Sequence, residues 1–131
     1  MQIGLVGFPQ SGKKTLFRLL TGADPAKAQI AIASVRDPRV TKLTEMYQPA
    51  KVTPATIQYS LLPDLTKNSE DNQELFKGLA LVDAIGIVVR AFADESVFHI
   101  DGSVDPMRDL QAIQAEFLLN DLRNFGYIPS R

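Results

Sequence analysis

The most informative segment of this chain is Gly7-Phe8-Pro9-Gln10-Ser11-Gly12-Lys13-Lys14-Thr15. It follows a short apolar run at residues 3–6 and leads into an apolar, helix-like run at residues 16–20, which predicts a strand, a loop and a helix. This is the context of a phosphate-binding loop, whose pattern is G-x-x-x-x-G-K followed by Ser or Thr. Lys14 occupies the place of that final hydroxyl residue. The segment therefore indicates a nucleotide-binding protein with one departure from the pattern.

The residue types in this loop suit the binding of phosphates. The start of a helix offers unpaired N–H groups and the positive end of a dipole. Gly7 and Gly12 allow the chain to curl with its N–H groups pointing inward. Lys13 is expected to reach the β- and γ-phosphate oxygens, and Thr15, further round the helix, is better placed for the α-phosphate. Lys14 cannot ligate a cation, so its ammonium is expected to add positive charge near the phosphates.

We assign nucleotide binding to the loop and the first helical turn, and we assign no metal ligand and no catalytic residue. An ordinary glycine-containing turn between a strand and a helix is the alternative interpretation. Two adjacent lysines at a helix start oppose the helix dipole, however, and this placement favours a bound anion. The predicted nucleotide-binding residues are Phe8, Pro9, Gln10, Ser11, Gly12, Lys13, Lys14 and Thr15.

The composition is that of a soluble globular protein. The chain has 131 residues, enough for one domain with a modest core, and 45% of them are hydrophobic. The net charge of −1 gives no indication of broad electrostatic binding to nucleic acid or membranes. The absence of cysteine excludes disulfides and thiolate-bound metals. No signal peptide or membrane-spanning run is apparent, so we predict a cytoplasmic protein, with residues 1–131 forming a single, partial domain.

Strand-like and helix-like segments alternate along the chain, which predicts a three-layer α/β domain with a mainly parallel sheet. In that architecture ligands bind at the carboxyl ends of strands, where the loop at residues 7–13 falls. A polar segment at residues 64–72 is predicted to be a mobile loop. Strands are expected at residues 2–6, 28–35, 53–62 and 84–89, and helices at residues 13–21, from Asp37-Pro38 onward, at residues 73–81 and at residues 105–125.

Several segments, taken in order, resemble the Obg-like ATPases, the YchF branch of the Obg GTPases. The similarity covers almost the whole chain, and the Asp-Pro-Arg and Val-Asp-Pro-x-Arg-Asp segments are far more specific than the loop alone. The segments that carry it are Met1-Gln2-Ile3-Gly4-Leu5-Val6-Gly7-Phe8-Pro9, Gly12-Lys13, Thr15-Leu16-Phe17, Asp37-Pro38-Arg39-Val40-Thr41-Lys42-Leu43, Pro54-Ala55-Thr56-Ile57, Val82-Asp83-Ala84-Ile85, Val104-Asp105-Pro106-Met107-Arg108-Asp109 and Leu119-Asn120-Asp121-Leu122.

The resemblance implies a Ras-like G domain with the P-loop NTPase fold, which binds ATP or GTP or their diphosphates. It implies an association with ribosomes or translation factors. Gly7, Gly12 and Lys13 match the phosphate-binding positions of the family, and Thr15 matches the position at the α-phosphate.

The chain departs from the family at the positions that serve the metal and the γ-phosphate. Lys14 replaces the Mg²⁺-ligating hydroxyl. The family's D-x-x-G motif aligns with Leu61 in place of the Asp and Asp64 in place of the Gly. The segment between the first predicted helix and Asp37 is much shorter than in the family, so the first switch loop is expected to be deleted. We therefore predict weak or absent hydrolysis and regard Mg²⁺ as doubtful. Asp64 is either a turn residue or a displaced metal contact.

The chain ends after the helix at residues 105–125, so by the resemblance the base-reading motif, a helical insertion and a C-terminal TGS domain would lie beyond it. The strand at residues 84–89 is then expected to leave an open sheet edge. Either the chain is a fragment, or a partner or self-association covers that edge. A function of another class, a degenerate pseudo-GTPase that acts as a protein-interaction module, is the alternative to nucleotide binding.

Other conspicuous side chains have simpler interpretations. Asp94-Glu95 is expected in a solvated loop, and His99, the single histidine, in a structural role. Asp105 is expected to cap its helix. The apolar stripe from Met107 to Phe125 is predicted to belong to the core.

Overall fold

A computed structural model of the protein describes residues 1–126, apart from the side chains of Ser69 and Glu70. Residues 127–131 of the predicted single domain lie outside the described residues. The described strands are β1 (Gln2–Val6), β2 (Ile30–Ser34), β3 (Thr56–Leu61) and β4 (Ala84–Ile87), and the helices are α1 (Lys13–Thr21), α2 (Pro38–Tyr47), α3 (Gln73–Leu79) and α4 (Pro106–Asn124), with a 3₁₀ turn at Ser69–Asn72.

The strands form one sheet in the order β2-β3-β1-β4. β1 lies at its centre and pairs in parallel with both β3 and β4, while β2 pairs antiparallel with β3. In the parallel register Leu5 of β1 lies opposite Leu61 of β3 on one side and Gly86 of β4 on the other. The prediction of a mainly parallel sheet is confirmed.

Helices cover both faces of the sheet. Successive residues of a strand point to opposite faces, so Leu5 and Val6 serve different layers. Leu5 packs in a buried cluster with Phe17 of α1, whereas Val6 packs with Leu75 of α3 and Ile113 of α4. Burial of a side chain of this kind stabilises the fold by about 1.5–3 kcal/mol. The two clusters place helices on either side of the sheet, and the predicted three-layer α/β architecture is confirmed.

Two helices begin as their sequences predict. The Asp37 side chain accepts a hydrogen bond from the Arg39 N–H at 2.9 Å at the start of α2. Asp105 accepts one from the Arg108 N–H at 3.1 Å at the start of α4. Both caps satisfy a helix N–H that has no acceptor within its own helix, and a proline follows each of them.

Three strands are shorter than predicted. β2 begins at Ile30 rather than at residue 28, because the Ala28 N–H donates to the Asp24 carbonyl in a turn. β3 begins at Thr56 rather than at residue 53, since Pro54 has no N–H to donate to a ladder. β4 ends at Ile87, two residues earlier than predicted.

The segment at residues 64–72, predicted to be a mobile loop, is held in the core at both of its ends. Leu65 is fully buried in the core cluster, and its N–H donates to the Gly7 carbonyl at 2.9 Å. Asn72 is also fully buried, and its side chain exchanges hydrogen bonds with the backbone of Thr66. These contacts fix the chain between β3 and α3.

The prediction that the whole apolar stripe of α4 is core is also wrong. Ile113 is fully buried, but Met107, Leu118 and Phe125 are 62%, 60% and 77% exposed. Helical periodicity identifies an apolar face, yet the described residues cover only its middle part.

Candidate phosphate-binding site

The loop between β1 and α1 adopts a conformation that depends on glycine. A Cβ atom on Gly7 would lie 2.6 Å from the Val88 carbonyl oxygen and 2.7 Å from the Ser11 Oγ, a separation that a side chain cannot adopt. Gly12 has φ of 95°, in the left-handed region that side chains disfavour. Gln10 also has positive φ, at 63°. The close approach and the left-handed turn together curl the loop over the start of α1.

The first turn of α1 is left uncapped by side chains. Gly12 occupies the N-cap position, no described side chain caps the turn, and the turn contains no acidic residue. The first intrahelical bond runs from the Leu16 N–H to the Gly12 carbonyl at 2.9 Å. The N–H groups that precede it have no intrahelical acceptor, and with the helix dipole they favour an anion at this end.

All the predicted nucleotide-binding residues surround one cavity of about 160 Å³. Asp64, which follows β3, completes its wall. The strands β1 and β3 are parallel neighbours, so the loops after them emerge at the same edge of the sheet. The lining is formed by Phe8, Pro9, Gln10, Ser11, Gly12, Lys13, Lys14, Thr15 and Asp64.

Lys13 is held inside the protein by two acceptors. Its Nζ donates to the Leu62 carbonyl oxygen at 2.6 Å and lies 2.7 Å from Oδ1 of Asp64. The residue is only 4% exposed. Burial lowers the pKa of the Lys13 ammonium, the hydrogen bond and charge of Asp64 raise it, and the charge of Lys14 adds to the lowering. Burial is the largest of these effects, so the net pKa is below the ordinary value for lysine.

Two hydroxyl groups and a second cation complete the lining. Lys14 and Thr15 are exposed on the first turn of α1. Ser11 is 7% exposed, and its Oγ has no hydrogen-bond partner among the described residues. A buried hydroxyl without a partner is costly, and this Oγ packs against Gly7.

The positions that the sequence analysis related to the metal do not form a cation site. Leu61 is 8% exposed and packs against Leu5 and Phe17. Lys14 offers an ammonium where a hydroxyl would ligate Mg²⁺. Asp64 supplies the one carboxylate in the described lining, and it is paired with Lys13. These residues do not fit a Mg²⁺ ion held in the manner of a P-loop enzyme.

His99 lies in a separate buried network. Its Nε2 is 2.7 Å from Oδ2 of Asp109, and its Nδ1 accepts from the Asp101 N–H at 2.9 Å. Both ring nitrogens are thus engaged within the protein. Asp101 also pairs with Lys67 and with Arg108, so the charges of this cluster are already compensated. The arrangement supports the structural role that the sequence predicts.

Sequence reasoning missed Arg90, which shapes the loop beside the cavity. Arg90 is 2% exposed and donates to the carbonyl oxygens of Phe92, Asp94 and Val97. Its guanidinium lies 4.5 Å from the centre of the Phe92 ring, and a Cβ atom on Gly12 would lie 3.8 Å from Cε1 of that ring. The available signal was an arginine directly after the apolar run at residues 84–89. In the described part of the chain, no helix is both long and apolar enough to cross a bilayer.

No family model matches the chain. It is 34% identical, over 91% of its length, to a protein of Bacillus subtilis named ribosome-binding ATPase YchF. It is 39% identical, over 92% of its length, to an Obg-like ATPase homolog of Schizosaccharomyces pombe. These alignments cover 36% and 33% of the two relatives, so the chain spans about a third of the length of the curated proteins that it matches.

A solved structure gives the same result for the fold. The structure of the Schizosaccharomyces pombe YchF GTPase superposes on this chain with a TM-score of 0.64 and 32% sequence identity. The match covers 100% of this chain and 40% of the solved one. The described sheet and helices therefore match a P-loop GTPase fold, as the sequence predicts.

Proposed function

We propose, from the premise that this chain is a homologue of the YchF and Obg-like ATPases over 91% of its length, that it binds a purine nucleotide through the loop at residues 7–15. The ligand is ATP or GTP, or one of their diphosphates. This proposal extends to this chain the nucleotide binding that the names of the relatives imply. The site residues are our own assignment.

The observation that carries the proposal is the uncapped start of α1 beneath the loop. Positive charge from Lys13 and Lys14 and helix N–H groups without an intrahelical acceptor surround the same cavity. An anion with several oxygens is the ligand that satisfies such a set of donors. Asp64 already pairs with Lys13, whereas the described lining holds no second carboxylate for Lys14.

We further propose that hydrolysis is weak or absent. Phosphoryl transfer by P-loop proteins depends on a metal ion and on a positioned water. Lys14, Leu61 and Asp64 differ from the residue types that serve the metal and the γ-phosphate in this family. Leu61 has a hydrocarbon side chain, which offers no ligand to either group, and it is buried among apolar side chains.

The partners we propose follow from the relatives. The Bacillus subtilis relative is named as ribosome-binding, and we extend a ribosomal or translation-factor partner and a cytoplasmic location to this chain as proposals. β4 lies at the edge of the described sheet, and Ile85 on it is 44% exposed. That edge is where self-association or a further segment would pair.

Calorimetric titration with ATP, ADP, GTP and GDP, each with Mg²⁺ and with EDTA, tests nucleotide binding. We expect saturable binding by the natural chain and its loss in Lys13→Ala. Lys42→Ala is the matched control, because Lys42 is an exposed lysine of α2 outside the cavity lining. Absence of binding by the natural chain at millimolar nucleotide would contradict the proposal.

Thermal unfolding with and without nucleotide separates this function from that of an interaction module. A ligand present at about 100 times its Kd raises the free energy of unfolding by about 2.7 kcal/mol. An interaction module that binds no nucleotide would unfold at the same temperature in both conditions. Phosphate release at the rate of the buffer blank is the expected outcome for hydrolysis, and Mg²⁺-dependent release that Lys13→Ala abolishes would contradict it.

A further inference from the structure

We infer that Asp64 makes this site select nucleoside diphosphates over triphosphates, because its carboxylate occupies the place on the Lys13 ammonium that a γ-phosphate oxygen would take. The inference rests on the proposed nucleotide-binding function and specifies its substrate class. It starts from the ion pair between Lys13 and Asp64, with 2.7 Å between Nζ and Oδ1.

The first step concerns the donors of Lys13. A lysine ammonium has three N–H donors and no acceptor. One donates to the Leu62 carbonyl oxygen at 2.6 Å, and a second faces Asp64. One donor then remains for a ligand. A P-loop lysine contacts oxygens of both the β- and the γ-phosphate when a triphosphate is bound. A diphosphate needs only the remaining donor, whereas a triphosphate must displace an acceptor that the protein supplies.

The second step concerns charge. A γ-phosphate bound to the same ammonium would lie within a few ångströms of the Asp64 carboxylate, and like charges at that separation repel each other strongly when the site is partly buried. The Lys13 ammonium is almost fully enclosed, so solvent screens this repulsion incompletely. Asp64 itself is 41% exposed, which reduces the effect without removing it. We expect a diphosphate preference of roughly ten-fold.

The third step concerns the backbone that carries Asp64. The residue after it, Leu65, is fully buried, and its N–H donates to the Gly7 carbonyl at 2.9 Å. The residue before it is Pro63, whose ring fixes one backbone dihedral. The backbone next to Asp64 is therefore anchored, through Leu65, to the first residue of the phosphate-binding loop. A carboxylate on such an anchored backbone keeps its place beside Lys13.

The fourth step concerns the space around the pair. A second cavity of about 280 Å³ lies beside the connection between α1 and β2, and Pro25 and Gln29 belong to its lining. Lys13, Lys14 and Asp64 line this cavity as well as the loop cavity. The ion pair thus lies at the boundary of the two spaces. A third phosphate that extends from the loop cavity toward the second one meets the carboxylate.

Calorimetric titrations with ADP, ATP, GDP and GTP in EDTA test this inference. EDTA removes divalent ions that would neutralise the phosphates. The natural chain is compared with Asp64→Asn, which keeps the shape but removes the charge, and with Asp64→Ser as a second variant should the first fold poorly. Asp121→Asn is the control, since Asp121 is an exposed acidic residue of α4 outside both cavity linings.

We expect the natural chain and Asp121→Asn to bind each diphosphate about ten-fold more tightly than its triphosphate. In Asp64→Asn that ratio should fall to about one or below, mainly through tighter triphosphate binding. If the natural chain binds triphosphates as tightly as diphosphates, or if both Asp64 variants keep the ratio, the inference is overturned while nucleotide binding stands. If no nucleotide binds to any of these proteins, the proposed function fails and the inference fails with it.

Discussion

The Lys13 ammonium and the Asp64 carboxylate form an ion pair across the candidate site, with 2.7 Å between Nζ and Oδ1. The pair joins the loop after β1 to the segment after β3, two parallel neighbours whose carboxyl ends meet at one edge of the sheet. It places a protein anion on the group that is expected to contact phosphate. The proposed nucleotide would therefore act on this pair.

The first prediction concerns pH. The pKa of Lys13 is lowered, chiefly by burial, so the folded protein loses this proton at lower pH than the unfolded chain does. The unfolded chain binds more protons between the lowered pKa and the ordinary lysine value, so the contribution of Lys13 to the free energy of unfolding rises with pH in that window. Nucleotide affinity should change in the opposite direction, since phosphate attracts the ammonium and not the amine.

Titrations from about pH 7 to about pH 10 measure this effect, together with titrations in two buffers of different ionisation enthalpy. We expect weaker binding at alkaline pH and proton uptake on binding that grows with pH. Lys42→Ala, which alters an exposed lysine of α2, should keep this profile. Binding that releases no heat of proton uptake and does not change with pH would show that Lys13 is not the phosphate contact.

The second prediction compares two glycines. Gly12 and Gly22 flank α1, with φ of 95° and 72°. Alanine in this region is strained, so each Gly→Ala change should lower the free energy of unfolding by about 1–2 kcal/mol. Gly22 is outside the cavity lining, whereas Gly12 belongs to it. We expect Gly12→Ala to weaken nucleotide binding strongly and Gly22→Ala to leave it unchanged. Equal effects on binding would mean that the loop is not the site.

The third prediction concerns Lys14, which stands in the place of the metal-binding hydroxyl. Lys14→Ser completes the G-x-x-x-x-G-K-S pattern and removes a charge from an exposed position. If this ligand is what the metal lacks, Mg²⁺ should increase nucleotide affinity in Lys14→Ser and have little effect in Lys14→Ala. The measurement is Kd with Mg²⁺ and with EDTA. An equal response of the two variants to Mg²⁺ would show that the changes at Leu61 and Asp64 limit metal binding more than the change at Lys14 does.

The fourth prediction concerns the pair of His99 and Asp109, which are 5% and 2% exposed. Asp109→Ala leaves the His99 Nε2 without its acceptor, which should lower the free energy of unfolding by about 1–3 kcal/mol. Asp121→Ala, at an exposed position on the same helix, should have little effect. Denaturant unfolding gives both values, and calorimetry should show nucleotide affinity unchanged. A loss of nucleotide affinity in a stably folded Asp109→Ala would contradict a purely structural role.

Local sequence signals account for the elements and their ends. Asp37 and Asp105 each precede a proline and an apolar periodic run, and both cap a helix. The apolar run before Gly7 forms the central strand β1. The loop residues from Phe8 to Thr15 surround one cavity because consecutive residues of a tight loop must lie close together. These features depend on neighbours in the chain, which is why the sequence was sufficient to predict them.

Contacts between distant segments were not predictable in the same way. From the sequence, Asp64 is predicted to be either a turn residue or a metal contact, whereas in the folded chain it pairs with Lys13. The available signal was its position directly after β3, next to β1 in the sheet. The partner of His99 depends on how α4 packs, and no local pattern announces it. Met107 and Phe125 are predicted to belong to the core, yet both are exposed. An apolar helix face in the sequence does not reveal whether another element covers it.

The most direct test of the central claim, that the loop at residues 7–15 holds the nucleotide phosphates, is an NMR titration of the backbone amides with ADP. We predict that the largest changes in amide chemical shift fall on Gly12, Lys13, Lys14 and Thr15, with saturation at the Kd found by calorimetry. The amides of α2, remote in sequence from the loop, should change little. Saturable shifts that spare the loop and fall elsewhere, or no shifts at millimolar ADP, would contradict the claim.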